Sequence, residues 1–167
     1  PDAFKLMRGI PKMVLLVQFS GSTREEVAEK VHDMRLALKD YGHESLFEED
    51  ETEAKEKKFW IMRRESFNIL RHKVKDKHTA PFIDDLVVNP EHLPQFLPEI
   101  RGILNKYKFL ATIAGHMGDG NFHIIPLMNL ENQSERALLE PAMKEINGIV
   151  LKYGGSLSGE HNDGLSR

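Results

Sequence analysis

Eight residues, His116-Met-Gly-Asp-Gly-Asn-Phe-His123, bring two imidazoles to one tight turn. The segments on either side read as strands, which makes Gly118-Asp119-Gly120-Asn121 the expected hairpin loop. Gly and Asn accept the positive φ angles that such loops need. With that loop His116 faces His123 and Met117 faces Phe122. Directly opposed residues share a sheet face with Cβ atoms about 4.5–5.5 Å apart, so both imidazoles can converge on one divalent metal. Gly154-Gly-Ser-Leu-Ser-Gly-Glu-His161 offers a third ligand on a run of small residues that lets backbone approach closely. Glu160 completes a set of two histidines and one carboxylate, which leaves coordination positions open for water or substrate. His161, its side chain directed elsewhere, then serves as a general base. The plainer reading is a hairpin whose histidines face water, beside a surface loop.

Trp60, Arg64, Asn68 and His72 recur every fourth residue and share one stripe of a helix. Arg64 presents the rigid fork that grips a carboxylate through two bonds. A solvated amphipathic face is the alternative, and Arg63, Arg71 and Lys73 suit it. His32, His43, His78 and His92 read as surface residues, and Asp84-Asp85 as a turn at a strand end, with metal ligation the alternative.

The elements that must position these groups alternate along the chain. Residues 13–19 are an apolar run and the expected first strand, buried. Ser22-Thr23-Arg24-Glu25-Glu26 offers capping boxes that open a helix. Val27, Val31, Met34 and Leu38 mark its inner stripe, and Gly42 ends it. A short strand is expected at 45–48. The charged run 48–58, with i,i+4 pairs such as Glu51–Lys55, predicts a solvated helix continuing to His72. Residues 79–88 predict a strand, and Asn89-Pro90 caps a helix whose core face is Leu93, Phe96, Leu97, Ile100 and Leu104. After the hairpin a helix is expected over 134–153, kinked or started at Pro141, with Leu138, Ala142, Ile146 and Ile149 inward. A short strand at 156–158 closes the pattern. No internal repeat is evident. The hairpin demands antiparallel pairing, so the expected fold is α+β: a ferredoxin-like antiparallel sheet with helices packed on one face, as a single domain over 1–167.

Composition bounds the function. The 167 residues are 40% hydrophobic and 29% charged, with a net charge of −3 and no cysteine. The charge provides no footprint for nucleic acid, and any metal must sit on His, Asp or Glu. No apolar stretch approaches the roughly 18 residues of a membrane span. A chain that begins on Pro1 and stops at Arg167 in a polar run reads as a piece of something longer.

Four segments in order carry a resemblance: Phe59-Trp-Ile-Met-Arg-Arg-Glu65, Ile83-Asp-Asp-Leu-Val-Val88, Gly115-His-Met-Gly-Asp-Gly-Asn-Phe-His123 and Gly154-Gly-Ser-Leu-Ser-Gly-Glu-His161. With them the chain resembles the C-terminal substrate domain of FAD-linked oxidases of the vanillyl-alcohol-oxidase type. That branch includes D-lactate dehydrogenase, the glycolate oxidase flavin subunit and D-2-hydroxyglutarate dehydrogenase. The resemblance implies that His116, His123 and Glu160 hold a divalent metal (zinc, manganese or iron) and that His161 is the base. It implies that Arg64 grips the carboxylate of a D-2-hydroxy acid, helped by Asn68, while the hydride passes to FAD.

Position 125 is Ile where glutarate-using members carry a polar contact, which favours a smaller, D-lactate-like or glycolate-like substrate. A family lysine corresponds to Lys73, Lys75 or Lys77. Asn162-Asp163-Gly164 with Arg167 resembles members that continue into an iron–sulfur segment. The chain has no Gly-rich dinucleotide fingerprint, so the FAD domain is expected upstream of residue 1 and no turnover is expected from this fragment alone. A cytoplasmic location, with or without peripheral attachment to the inner membrane, and a homodimer complete the expectations. A stand-alone metal hydrolase and a non-catalytic ferredoxin-like binding domain are the competing readings.

Overall fold

The computed structural model describes residues 14–39, 57, 59–61, 63–65, 74 and 76–161. By proximity of Cα atoms the chain divides into two compact units, Pro1–Ser66 and Phe67–Arg167.

In the first unit, helix α1 spans Arg24–Lys39. It begins where the capping residues set it: the Thr23 hydroxyl accepts the Glu26 N–H at 3.2 Å, and Glu26 Oε2 accepts the Ser22 N–H at 2.8 Å. Val27, Val31, Met34 and Leu38 form its half-buried stripe. The expected first strand does not form. Residues 14–20 carry no regular structure, and Val14 and Leu15 are exposed. An apolar run supplies only the side chains of a strand. The backbone needs a ladder, and the described ladders join other segments. Residues 57, 59–61 and 63–65 are helical, as expected for the continuation of the charged helix, while 48–56 and 66–72 lie outside the described residues. Gly42 and the expected strand at 45–48 lie outside the described residues.

In the second unit, strands β1 (His78–Thr79), β2 (Ile83–Val87), β3 (Leu110–His116) and β4 (Asn121–Met128) form one antiparallel sheet. β4 is central. β3 runs along one of its edges, and β1 and β2 follow each other along the other. The strand expected over 79–88 is interrupted at 80–82, where Pro81 has no N–H to give a ladder. The Asn89 side chain accepts the Glu91 N–H at 3.0 Å and Pro90 opens a 3₁₀ turn into helix α2, Leu93–Lys106. Beyond β4, the single helix expected over 134–153 is two: α3, Gln133–Arg136, and α4, Leu139–Lys152. Pro141 stands in the first turn of α4, where a missing N–H costs nothing. Among the described residues no helix is long and apolar enough to cross a membrane.

Side chains alternate along β4 and divide its two faces. Phe122 and Ile124, with Ile83 and Leu86 of β2, pack on Phe96 and Ile100 of α2 and Ile146 and Val150 of α4. All eight are 2% exposed or less, and burying each contributes about 1.5–3 kcal/mol. Asn121, His123 and Ile125 take the opposite face. The α+β expectation holds, with both helices on one face and the chemistry-bearing residues on the other.

The two packed helices also carry a repeat that the sequence reading passed over. Glu99-Ile-Arg-Gly-Ile-Leu-Asn-Lys-Tyr107 matches Glu145-Ile-Asn-Gly-Ile-Val-Leu-Lys-Tyr153. The helices run antiparallel, so each Lys-Tyr end reaches the other helix's glutamate. Lys106 and the Tyr107 hydroxyl both bond Glu145 Oε1 at 2.6 Å. Lys152 and the Tyr153 hydroxyl bond Glu99 Oε1 at 2.7 and 2.6 Å.

Candidate functional site

The β3–β4 hairpin closes one step earlier than its composition predicts. Residues 117–120 form the turn, a 3₁₀ turn over Met117–Asp119 followed by Gly120 at φ 68°. A Cβ on Gly120 would collide with the Val88 carbonyl oxygen, so glycine is required there. His116 therefore pairs with Asn121, and His123 with Ala114, which corrects the expected His116–His123 opposition. The partner moves by two residues, and side chains alternate with a period of two. Both histidines thus stay on one face as diagonal neighbours, their ring centroids 6.1 Å apart.

Across β4 from the hairpin, β2 pairs Ile83 with Ile124 and Leu86 with Phe122. Asp84 and Asp85 must then oppose His123 alone, which makes a bulge, and Asp85 takes φ 70°. The bulge turns both acids to the histidine face. Asp84 Oδ1 lies 3.1 Å from His123 Nδ1. Asp85, 3% exposed, accepts the backbone N–H groups of Gly159, Glu160 and His161 at 2.8, 3.0 and 2.9 Å. It also accepts the Asn121 side-chain amide at 3.0 Å. Burial works to raise the Asp85 carboxyl's pKa, but the bonds from His161, Glu160, Asn121 and Gly159 together outweigh it and hold the group well below the usual carboxylate range. Sequence reasoning missed this pair's role. Its signal was two successive acids inside an apolar strand, which a period of two cannot place on one face without a bulge.

The expected strand at 156–158 is a single antiparallel bridge, in which Val87 and Ser156 exchange bonds of 2.9 and 2.8 Å. It delivers Glu160 to the histidines. Glu160 Oε1 is 2.9 Å from His123 Nε2 and 3.5 Å from His116 Nε2. It is also 3.5 Å from His161 Nε2, and the His161 ring stands edge-on to His123 at 4.9 Å. His161 thus shares the focus of the cluster instead of pointing elsewhere. A pocket lined by Val87, His116, Asp119, Asn121, Gly159 and Glu160 opens beside it.

The donor chemistry fits a divalent cation. A neutral His123 that gives its Nδ1 hydrogen to Asp84 turns an Nε2 lone pair towards Glu160 Oε1. In that tautomer a cation between the two atoms makes the 2.9 Å contact favourable, whereas a protonated ring would bond both carboxylates directly. A carboxylate behind a ligating imidazole is the usual support for such a site. Donor atoms of Asp85, His123, Glu160 and His161 lie within 4.8 Å of one another, but both oxygens of Asp85 already accept N–H groups, so it is the weakest ligand of the four.

The remaining sequence-predicted residues stand as follows. Arg64 belongs to the first unit, is helical with its side chain 73% exposed, and lies 3.5 Å from Glu65. Asn68 lies outside the described residues, as do Lys73 and Lys75. Lys77 is held by Glu135 at 3.3 Å. Ile125 is half-buried on the histidine face of β4, opposite Thr112.

This arrangement of two hairpin histidines and a Glu-His loop runs through a matched stretch of chain. The family model for FAD linked oxidases, C-terminal domain, matches residues 8–167. The chain belongs to this family. It is similar to D-2-hydroxyglutarate dehydrogenase of Pseudomonas putida, 28% identical over 156 residues, covering 90% of this chain and 15% of that protein. It is also similar to the cytochrome-type mitochondrial D-lactate dehydrogenase of Arabidopsis thaliana, 27% identical over 153 residues, covering 92% and 26%. Glycolate oxidase subunit GlcD of Escherichia coli is 28% identical over 156 residues, covering 92% and 30%. The chain thus spans less than a third of the length of each of these three relatives.

Proposed function

We propose that this chain is the substrate- and metal-binding domain, residues 1–167, of an FAD-dependent dehydrogenase that oxidises a D-2-hydroxy acid to the 2-oxo acid. The observation that carries the reading is the convergence of three imidazole Nε2 atoms within 3.5 Å of one Glu160 oxygen. Membership of the FAD-linked oxidase family supports the flavin, and relatives named for hydroxy acids support the substrate class.

In this reading His116, His123 and Glu160 hold the metal, which when bound supplies a Lewis acid beside the substrate hydroxyl. FAD, when bound, supplies the acceptor for the hydride. Asp84 keeps the His123 ring oriented. His161 takes the hydroxyl proton, so the products are the 2-oxo acid, a protonated base and the reduced cofactor. Arg64 takes the substrate carboxylate and Asn68 assists it, assignments that rest on the resemblance of their segment to the family. Ile125, on the histidine face two residues from His123, supports a short or apolar substrate over a dicarboxylate, because it offers a second carboxylate no partner.

The test is to express the chain with its upstream region and assay a panel of D-2-hydroxy acids, alongside bound-metal analysis, for wild type and His116→Ala. Wild type should carry stoichiometric metal and prefer short monocarboxylates. His116→Ala should keep flavin and lose both metal and turnover. Full activity in that variant would overturn the metal assignment.

A further inference from the structure

Asp85 is a buried carboxylate that the proposed chemistry leaves without a task. Its surroundings are specific. Three consecutive backbone N–H groups, those of Gly159, Glu160 and His161, point at its two oxygens, and the Asn121 amide supplies a fourth donor. Since Asp85 only accepts, the contact fixes which end of the Asn121 amide is nitrogen. Asn121 Oδ1 is then left buried without a hydrogen-bond partner. A buried acceptor without a partner is costly, so the amide is held there for the bond that its nitrogen makes. Gly159 completes the fit. A Cβ at that position would lie 2.5 Å from both Asn121 Nδ2 and Val87 Cγ2 and 3.0 Å from Asp85 Oδ1.

We infer that Asp85 is a positioning residue for the Glu160-His161 loop. It acts through three main-chain bonds, and both of its oxygens are already taken by N–H donors. The bulge divides the work between neighbours: Asp84 orients the His123 ring, and Asp85 sets the backbone from which Glu160 and His161 project. A loop held by its main chain presents its side chains in place before any ligand arrives, so binding need not order them. This role rests on the proposed metal and base assignments only for its consequence. The latch itself is independent of them.

The test compares wild type, Asp85→Asn and Asp85→Ala in the full-length protein. Amide hydrogen exchange is read at Gly159, Glu160 and His161, and cobalt(II) affinity is read by titration of metal-stripped protein. Asp85→Asn keeps the volume but faces an NH₂ towards N–H donors. Exchange at the three amides should rise roughly ten-fold or more while the β4 amides keep their protection. Cobalt affinity should fall about 10–100-fold. A residue that only fills space predicts wild-type behaviour for Asp85→Asn and loss only for Asp85→Ala, and that outcome would overturn the inference. Unchanged exchange at all three amides in both variants would overturn it as well. If the amides lose protection but wild-type protein takes up no cobalt, the latch stands and the metal reading fails.

Discussion

Glu160 is where the residue-scale chemistry meets, yet each histidine around it is held differently, and that difference is testable. His123 is clamped between Asp84 and Glu160 and is only 15% exposed, while His161 approaches the same oxygen from the open loop. His123→Ala should therefore abolish bound metal. His161→Ala should retain it and lose about 10²–10⁴-fold in kcat, the usual loss for a general base. Metal analysis and steady-state rates on the two variants check this, and metal loss from His161→Ala would make that residue a ligand instead of the base. Gly159 yields a second expectation. With a methyl group forced against Asn121 and Val87, Gly159→Ala should destabilise the protein by about 1–3 kcal/mol, measured as a shift in urea midpoint. The identities of the chemical residues were legible in the sequence because His, Glu and Gly are conspicuous in type. Asp84 and Asp85 were not, because only the register of β2 against β4 reveals that both oppose one histidine.

At the scale of elements, the helix pair and the hairpin were legible to different depths. Apolar periodicity places α1, α2 and α4, since a core-facing stripe is a local property. The register of the hairpin is not local. Gly120 closes the turn because the Val88 backbone packs against it, and Val88 is distant in sequence. The reciprocal helix clasp predicts a pH dependence. Lys152 and Tyr153 hold the Glu99 carboxyl below its ordinary 4.5, and Lys106 and Tyr107 do the same for Glu145. A carboxyl whose pKa is depressed by folding stabilises the fold fully above its unfolded value and loses that contribution as pH falls through the folded one. Urea midpoints should hold steady above about pH 5 and fall below about 4.5. The double variant Glu99→Gln/Glu145→Gln should show a shallower acid slope, and an unchanged slope would mean that other groups dominate.

For the whole molecule, the prediction concerns what one domain can do. In the proposed reading the site binds substrate and removes a proton, but none of its residues supplies a redox acceptor. The 167-residue chain by itself should reduce no artificial acceptor with D-lactate, while the protein including its upstream region should. Dye reduction by the isolated chain would refute the assignment of the flavin to another domain. The α+β class, the helices on one sheet face and the grouping of His116, His123 and Glu160 were legible in the sequence itself, through hydrophobic period and residue type. Both are encoded within a few residues. The missing strand expected over 13–19, of which 14–19 are described, the bulge at Asp84-Asp85, the slip in hairpin pairing and the convergence of His161 on Glu160 were decided only by the tertiary structure. Each depends on which backbone groups, far apart in the chain, find one another as partners, and no local pattern records that choice.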